Sequence, residues 1–324
     1  MRSGLVIGKF MPIHQGHIAL INFAASHCDE LIVSMSFTNQ DPIDGDLRVS
    51  WIKEIFSSQT RIHIHKINDD FDNDTLSLEE RTRLWASRMR EVYPPIDIVI
   101  SSEHYGDPFA KNLGAEYLVF DIERKNFPVS GSLIREKPFA CWDFIPSVVR
   151  PYFVKKICFY GSESTGKSTM AKKMAELYQT EYVPEVAREI ISSNDFTADD
   201  IIKIGHAQTQ RVMDKSTTAN KLLFCDTDLI TTQIYSQIYL NEVPAILSEL
   251  EKQIQYEQYF LFDIDVPWVE DGLRDLGAKR EEMMTTFKRE LVKRNINYIF
   301  VSGDYQQREQ LLRTKLDLLI NQFR

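Results

Sequence analysis

Residues 8–17, Gly-Lys-Phe-Met-Pro-Ile-His-Gln-Gly-His, place two imidazoles and a lysine beside a proline and two glycines. They follow the apolar run of residues 4–7 and lead into a helical pattern, so free backbone N–H groups of a helix start are expected there. His14 and His17 are three apart and can face one side as the chain begins to wind. Imidazole N–H groups can donate to phosphoryl oxygens, whereas two histidines alone are too few for a zinc site. The segment therefore predicts a phosphate site rather than a metal centre.

Residues 161–168, Gly-Ser-Glu-Ser-Thr-Gly-Lys-Ser, form a complete G-x-x-x-x-G-K-[ST] string. The apolar run of residues 156–160 precedes it and a helical pattern over residues 167–178 follows, which is the context that a phosphate-binding P-loop requires. In such a loop the backbone N–H groups surround the β-phosphate, Lys167 reaches the β- and γ-phosphate oxygens and the Ser168 hydroxyl holds Mg²⁺. The predicted nucleotide contacts are Gly161, Ser162, Glu163, Ser164, Thr165, Gly166, Ser168 and Thr169.

Acidic residues follow two predicted strands of the same half. The run of residues 222–226 ends in Asp226, with Asp228 two residues later. Strand ends of this fold point at the phosphates, so we expect Asp226 to orient the acceptor hydroxyl or to hold Mg²⁺ through water, and Asp228 to bind the acceptor's ribose. Glu185 and Arg188 follow another short strand and are predicted substrate contacts. Which carboxylate accepts the hydroxyl proton stays open between Asp226, Asp228 and Glu185.

Residues 268–274, Trp-Val-Glu-Asp-Gly-Leu-Arg, come just after a predicted strand. Charged residues mixed with a glycine are typical of a lid that closes over a substrate. Trp268 is predicted to contact the substrate, and Arg274 to close over the phosphoryl group in transfer.

These motifs lie on two successive series of strands and helices. In the first half, strands are predicted over residues 4–7, 31–37, 61–67, 96–101 and 117–121, with helices over 17–26, 47–56 and 78–92. In the second half, strands are predicted over residues 156–160, 222–226, 259–265 and 298–302, with helices over 167–178 and 304–323. This alternation predicts an α/β protein with parallel sheets flanked by helices. Two prolines near residue 150 mark the seam, which gives domains 1–150 and 151–324.

Composition excludes several classes of protein. The 324 residues include 38 basic and 47 acidic side chains, for a net charge of −9, which argues against a DNA-binding or membrane-surface protein. No run approaches the roughly 20 apolar residues that span a bilayer. Four cysteines without a C-x-x-C pair predict buried free thiols and a cytoplasmic location. The expected partners are small-molecule substrates, and the sequence is compatible with a homo-oligomer.

The first motif resembles the G-x-F-x-P-x-H-x-G-H signature of the nucleotidylyltransferase superfamily, which implies a Rossmann-like first domain. A second signature of that superfamily, I-S-x-[ST]-x-x-R, is matched by residues 129–135, Val-Ser-Gly-Ser-Leu-Ile-Arg. The resemblance implies transfer of a nucleotidyl group from ATP, with catalytic roles for Lys9, His14, His17 and Arg135. It further implies that the nucleotide is bound by Gly8, Phe10, Pro12, Ser130 and Ser132.

Two more segments fit the nicotinamide branch of that superfamily. Residues 39–51 follow the second predicted strand, where the branch has a loop, an arginine and an aromatic residue beside the mononucleotide. The resemblance implies contacts from Asn39, from Arg48 to the phosphate and from Trp51 near the pyridine ring. The alternative is that Trp51 is a core residue and Arg48 is solvated. Asp121 and Arg124 are also predicted to face the mononucleotide.

A nucleotidylyltransferase domain ahead of a P-loop kinase domain resembles the bifunctional family of nicotinamide-nucleotide adenylyltransferases and ribosylnicotinamide kinases. The resemblance covers nearly the whole chain. It implies NAD biosynthesis, in which the second domain phosphorylates nicotinamide riboside and the first adenylates nicotinamide mononucleotide to NAD. ATP is then the co-substrate and Mg²⁺ the cofactor. Because Met1 stands only a few residues before the first predicted strand, we expect no helix-turn-helix and no binding of DNA.

Other functions stay open at this point. The main enzymatic alternative is a pantetheine-phosphate adenylyltransferase fused to a dephospho-coenzyme A kinase, which would show the same two motifs. A flavin branch fits less well, since flavin kinases use no P-loop. A nucleotide-sensing regulator is the alternative from another class, although the intact Lys167, Ser168, His14 and His17 favour turnover.

Overall fold

The structure, a computed structural model, describes residues 1–72, 75–193, 195–269 and 275–324. The chain divides into two compact units: Met1–Arg150 together with Phe323–Arg324, and Pro151–Gln322. The last two residues, which the sequence placed with the second domain, group with the first unit. Each unit holds a five-stranded parallel sheet with helices around it, which confirms the predicted α/β class.

The sheet of the first unit has the strand order β3-β2-β1-β4-β5. Its strands are β1 (Ser3–Gly8), β2 (Glu30–Phe37), β3 (Ile62–Asn68), β4 (Ile98–Ser101) and β5 (Glu116–Val119). Its helices are α1 (Gln15–Ala25), α2 (Gly45–Ile55), α3 (Leu78–Val92), α4 (Gly106–Leu113) and α5 (Gly131–Glu136), followed by a 3₁₀ turn (Trp142–Phe144).

The core of this sheet explains where its site lies. Leu5, Val33 and Val99, on the three central strands, are completely buried. Because β1 pairs with β2 on one side and β4 on the other, the order of connection reverses beside β1. Ligands of open α/β sheets bind outside the carboxyl ends of the strands at such a switch point. The loop that follows β1 carries the first sequence motif to that place.

The sheet of the second unit has the strand order β10-β9-β6-β8-β7. Its strands are β6 (Lys155–Tyr160), β7 (Glu181–Val183), β8 (Leu222–Asp226), β9 (Gln258–Phe262) and β10 (Tyr298–Val301). Its helices are α7 (Lys167–Leu177), α8 (Ala187–Ile190), α9 (Ala198–Thr218), α10 (Leu229–Leu240), α11 (Ile246–Glu251), α12 (Arg280–Lys293) and α13 (Tyr305–Gln322). A 3₁₀ turn (Gly277–Lys279) precedes α12, and α6 (Arg150–Phe153) lies where the two units meet along the chain.

Buried aromatic side chains and helix caps stabilise the fold of the second unit. Phe159, Phe224 and Phe260 are completely buried and pack side by side across β6, β8 and β9. Thr197 begins α9 with a capping box, in which its side chain and that of Asp200 satisfy each other's backbone N–H groups. Since β6 lies between β8 and β9, the P-loop that follows it is again at the switch point of the sheet.

Two further expectations concern the whole chain. All four cysteines, Cys28, Cys141, Cys158 and Cys225, are buried and unpaired, as the sequence predicted. Across the described ranges, no helix is both long enough and apolar enough to cross a bilayer.

Candidate active sites

A cavity of about 500 Å³ opens at the carboxyl edge of the first sheet. The ends of β1, β2 and β3, the loops after β4 and β5, and the first turns of α1 and α5 line it. Ten of the residues singled out from the sequence meet in this lining: Gly8, Lys9, Phe10, His14, His17, Asp121, Arg124, Ser130, Ser132 and Arg135.

His14 and His17 form a stacked pair at the start of α1. Nδ1 of His14 accepts a hydrogen bond from the backbone N–H of His17 at 3.4 Å and so caps the helix. The ring centroids of the two histidines are 3.7 Å apart. The rings of Phe10 and His17 are arranged edge to face, with centroids 5.0 Å apart. Burial and then the charge of Arg124 lower the pKa of His14 to about 4. Both rings are held neutral, since burial also lowers the pKa of His17 well below its usual value.

The second signature is tied to the histidine loop. Ser130 caps α5, and Arg135 donates from Nη1 to the carbonyl oxygen of Met11 and from Nη2 to Oγ of Ser132 at 3.3 Å. A Cβ atom at Gly131 would lie 2.6 Å from the same Met11 oxygen, so only glycine allows this approach. The two segments, about 120 residues apart in sequence, therefore make one surface.

Asp121 and Arg124 shape the loop between β5 and α5. The carboxylate of Asp121 accepts hydrogen bonds from the backbone N–H groups of Lys125, Asn126 and Phe127. Arg124 donates to Oε1 of Glu103 at 2.8 Å. The carboxylate oxygens of Asp121 thus stabilise the loop. Arg124 lines the cavity close to the two histidines.

The P-loop backbone has positive φ angles at two of its glycines. Gly161 and Gly166 adopt φ angles of +137° and +84°, in the region that favours glycine. A Cβ atom at Gly161 would also come within 3.0 Å of the carbonyl oxygen of Phe262. Lys167 is buried, and its Nζ donates to the carbonyl oxygen of Ser162 at 2.7 Å.

Two cavities adjoin at the P-loop. The first, of about 210 Å³, is lined mainly by the P-loop and holds most of the predicted nucleotide contacts; we refer to it as the phosphate cavity. The second, of about 80 Å³, is lined by α8, α9 and α10, and we refer to it as the aromatic cavity. Six residues line both cavities: Glu163, Glu185, Arg188, Thr227, Thr231 and Tyr235. An acceptor in the aromatic cavity would therefore meet a phosphoryl donor on the P-loop at these residues.

Asp226 lies behind the P-loop at the end of β8. Its side chain is 2% exposed and hydrogen-bonded to Ser168, and its Oδ1 has no partner among the described residues. Burial raises the pKa of Asp226 above its usual value, against the lowering charge of Lys167. A serine hydroxyl and an unsatisfied carboxylate oxygen fit the oxygen ligands that Mg²⁺ takes beside nucleotide phosphates. No cluster of three or more His, Cys, Asp or Glu suited to a metal occurs in the part of the chain that the structure describes.

Comparisons with known proteins agree with this pair of sites. Residues 5–137 match the Cytidylyltransferase-like family and residues 156–308 match the AAA domain family. The Trifunctional NAD biosynthesis/regulator protein NadR of Escherichia coli strain K12 is 32% identical over 337 residues, which cover 94% of this chain and 80% of that protein. The chain belongs to the NadR family.

Two solved structures share the fold of this NadR-family chain. A NadR protein in complex with NR superposes with a TM-score of 0.79 at 21% identity and covers 95% of this chain and 91% of that one. A NadR protein in complex with NAD and AMP-PNP gives the same TM-score and identity and covers 99% of this chain and 96% of that one.

The sequence misplaced the mononucleotide contacts on α2 and its loop. Arg48 is completely buried and donates to the carbonyl oxygens of Lys9 and Ser36 at 2.6 and 3.2 Å and to Asp41 at 2.6 Å. Its guanidinium holds the loop after β1 in place and is not exposed to a ligand. Trp51 is a core residue, 5% exposed, so the alternative considered for it is the correct one.

Neither Asn39 nor Pro12 is among the described residues that line the cavity. Asn39 is exposed in a turn, and Pro12 is buried behind the histidine loop, where it follows a cis peptide bond. The predicted contacts of Asn39 and Pro12 therefore have no support from the cavity lining.

Two predictions for the second site are also wrong. Asp228 is buried, caps α10 and accepts from Tyr259 at 2.9 Å, so its oxygens serve the fold and not a ribose. The Trp268 ring packs against Arg280, 5.7 Å away, and lines neither cavity. The side chain of Ser162 is buried and its carbonyl oxygen accepts from Nζ of Lys167; its contact to the nucleotide, through the backbone, stays a prediction. Arg274 lies outside the described residues.

Sequence reasoning missed an aromatic and charged wall in the first cavity. Trp85 on α3 lines it and donates from Nε1 to Asp72 at 2.9 Å. Arg81, one turn earlier, donates to the same carboxylate at 2.9 Å, and Tyr105 contacts Trp85 edge-on at 5.4 Å. Asp69 lines the cavity too, and burial followed by the charge of Asp72 raises its pKa to about 6. The spacing of Arg81 and Trp85 on one helical face was the available signal.

Arg308 on α13 was also missed. It is completely buried and donates to the carbonyl oxygens of Thr165, Gly303 and Asp263 and to the carboxylate of Asp265. A single side chain thus joins the P-loop to the loops after β9 and β10. No motif marks it, because it stands in an ordinary helical pattern close to the end of the chain.

Proposed function

We propose that this NadR-family chain makes NAD from nicotinamide riboside in two steps that each consume ATP. The second unit transfers a phosphoryl group to the riboside 5′-hydroxyl, and the first unit transfers AMP to the resulting mononucleotide with release of pyrophosphate. The observation that carries the proposal is a cavity at the switch point of each sheet, one lined by the histidine motif and the other by the P-loop. Similarity to a NAD biosynthesis protein over 94% of the chain supports it.

In the first unit, the mononucleotide phosphate attacks the α-phosphorus of ATP directly. The cavity presents donors to the phosphates, and no cysteine occurs among the described residues of its lining. His14 and His17, neutral at physiological pH, donate N–H groups to phosphoryl oxygens, while Lys9 and Arg135 supply positive charge. Catalysis then consists of positioning and of stabilising the charge that develops on the α-phosphoryl group and on pyrophosphate.

We assign the mononucleotide to the wall formed by Arg81, Trp85 and Tyr105. Arg81 and Trp85 line the cavity from α3, Tyr105 lines it from the start of α4, and Arg135 lines it from α5. An indole is the best aromatic partner for a cationic pyridinium ring. The assignment replaces Arg48 and Trp51, which are buried elsewhere in the same unit.

In the second unit, Lys167 and the P-loop N–H groups hold the donor phosphates. Ser168 and Asp226 are the residues that would hold Mg²⁺, which when bound supplies charge neutralisation of the phosphates. Glu185 lines both cavities, whereas Asp226 lines neither. The role of orienting the acceptor hydroxyl and accepting its proton therefore passes to Glu185.

Assays with the two candidate acceptors test this function. Purified full-length protein is incubated with ATP, Mg²⁺ and either nicotinamide riboside or dephospho-coenzyme A, and the products are separated by chromatography. We expect nicotinamide mononucleotide and then NAD from the riboside, and no phosphorylation of dephospho-coenzyme A. The opposite preference would establish the coenzyme A alternative.

A further inference from the structure

The aromatic cavity carries rings and carboxylates together. Phe196, Tyr235 and Tyr239 contribute three rings to its lining. The rings of Tyr235 and Tyr239 are nearly parallel, with centroids 6.3 Å apart, and Phe196 meets Tyr239 edge-on at 5.4 Å. Aliphatic side chains from α9, Ile201 and Ile204, complete an apolar wall. The cavity thus offers rings and aliphatic side chains against which a flat ring could pack.

Negatively charged side chains outnumber positively charged ones in the described lining of this cavity. Among the described residues the charged groups are the carboxylates of Glu163 and Glu185 and the guanidinium of Arg188. Arg188 donates from Nε to Glu185 at 2.9 Å. Burial first, and then the negative charges of Glu163 and Glu185, raise the pKa of Tyr235 well above its usual value. Glu163 and Tyr235 both line this cavity, so a ligand held there would meet both residues.

This combination discriminates between rings of different charge. A cation over an aromatic face is attracted by the ring quadrupole, and more strongly when it is desolvated. A nearby carboxylate adds Coulomb attraction in a site of low dielectric constant. A neutral ring of the same shape gains neither interaction. The pyridinium ring of nicotinamide riboside carries a positive charge, whereas the rings of ordinary nucleosides are neutral.

We propose that the aromatic cavity selects acceptors by the positive charge of their ring, and that Glu163 is the residue that determines this selectivity. The inference rests on the proposed kinase function and adds to it the physical basis of acceptor choice and the residue that provides it. Glu163 thereby has a role beyond the P-loop backbone to which it belongs, since it lines the aromatic cavity as well as the phosphate cavity.

The test compares two acceptors that differ almost only in charge. Nicotinamide riboside is cationic, and its reduced dihydropyridine form is neutral and nearly isosteric. For the full-length protein, kcat/KM is measured with each acceptor at saturating ATP by chromatographic assay of ADP. The variants are Glu163→Gln, which keeps the shape, Glu163→Asp, which keeps the charge, and Glu176→Gln, an exposed glutamate of α7 as the matched control.

We expect the wild type, Glu163→Asp and the control to prefer the cationic acceptor by about tenfold or more, the scale of a desolvated cation–π contact. In Glu163→Gln the preference should fall about tenfold, through loss of kcat/KM for the cation. An equal loss for both acceptors would place Glu163 in ATP binding and overturn the inference, as would a wild type that uses both acceptors equally. A wild type that phosphorylates neither acceptor would instead overturn the proposed function.

Discussion

The stacked imidazoles of His14 and His17 are the residues on which adenylyl transfer should depend most. His17→Ala removes a donor that we place on the developing charge, and losing one such donor costs about 10² in kcat. His104→Ala, an exposed histidine that does not line the cavity, is the matched control. Steady-state rates of NAD formation from supplied mononucleotide measure both. A wild-type kcat in His17→Ala, or an adenylyl group trapped on the protein, would refute direct transfer with this donor.

The protonation state of the same pair gives a pH prediction. A pKa of about 4 for His14 means that the ring is neutral at every pH well above that value, so raising the pH removes no proton from it. We therefore expect kcat for adenylyl transfer to be flat from pH 7 to 8.5. An acting imidazolium with the ordinary pKa of about 6.5 would lose its proton over this range, and kcat would fall about twentyfold.

In the kinase half, the carboxylates at two strand ends should be separable by their kinetics. Glu185→Gln should lower kcat for riboside phosphorylation by about 10², the lower range for a positioned base, with little change in KM for ATP. Asp226→Asn should mainly raise the Mg²⁺ concentration needed for half-maximal rate. Glu189→Gln, whose partner Arg211 lies in an exposed ion pair, serves as control. A wild-type kcat in Glu185→Gln would show that Glu185 is not the general base and would make Asp226 the candidate.

At the scale of elements, α13 stabilises the P-loop through Arg308. Arg308→Met removes the donor from three carbonyl oxygens, of which that of Thr165 is buried, and this costs about 2 kcal/mol or more of unfolding free energy. Because the Thr165 carbonyl is one of them, we also expect a higher KM for ATP in the kinase reaction.

Denaturant unfolding and kinase assays of the full chain measure both effects of Arg308→Met. Adenylyl transfer from supplied mononucleotide is the internal control, since it uses the other unit. Arg308→Lys keeps the charge but loses the forked geometry and should fall between the wild type and Arg308→Met. An unchanged KM for ATP in both variants would show that α13 does not position the P-loop.

The elements also show what the sequence can predict. Period and capping signals placed α3 at Leu78–Val92 and β8 at Leu222–Asp226, because both are written in neighbouring residues. The group that a helical side chain contacts cannot be read from its neighbours in the sequence. Arg48 has the chemistry of a phosphate ligand, yet packing turns it toward backbone carbonyls, and Trp85 faces the cavity from an unremarked helix.

At the scale of the whole molecule, each site is assembled within one unit. The glycines, histidines and P-loop residues could be predicted to lie together in each unit because they are close in sequence. Arg308, Glu163 and the α3 wall were not assigned their roles, because those depend on contacts between segments far apart in the chain. Because each unit has its own site, a substitution in one site should abolish one activity and leave the other intact.

The most direct measurement follows the fate of nicotinamide riboside in the full-length protein and in one variant of each site. With ATP and Mg²⁺, the wild type should convert the riboside to NAD. Lys167→Ala should form no mononucleotide from riboside but should still make NAD from supplied mononucleotide, while His14→Ala should phosphorylate riboside and accumulate the mononucleotide. Loss of both activities in either variant, with the fold verified by circular dichroism, would contradict two independent sites.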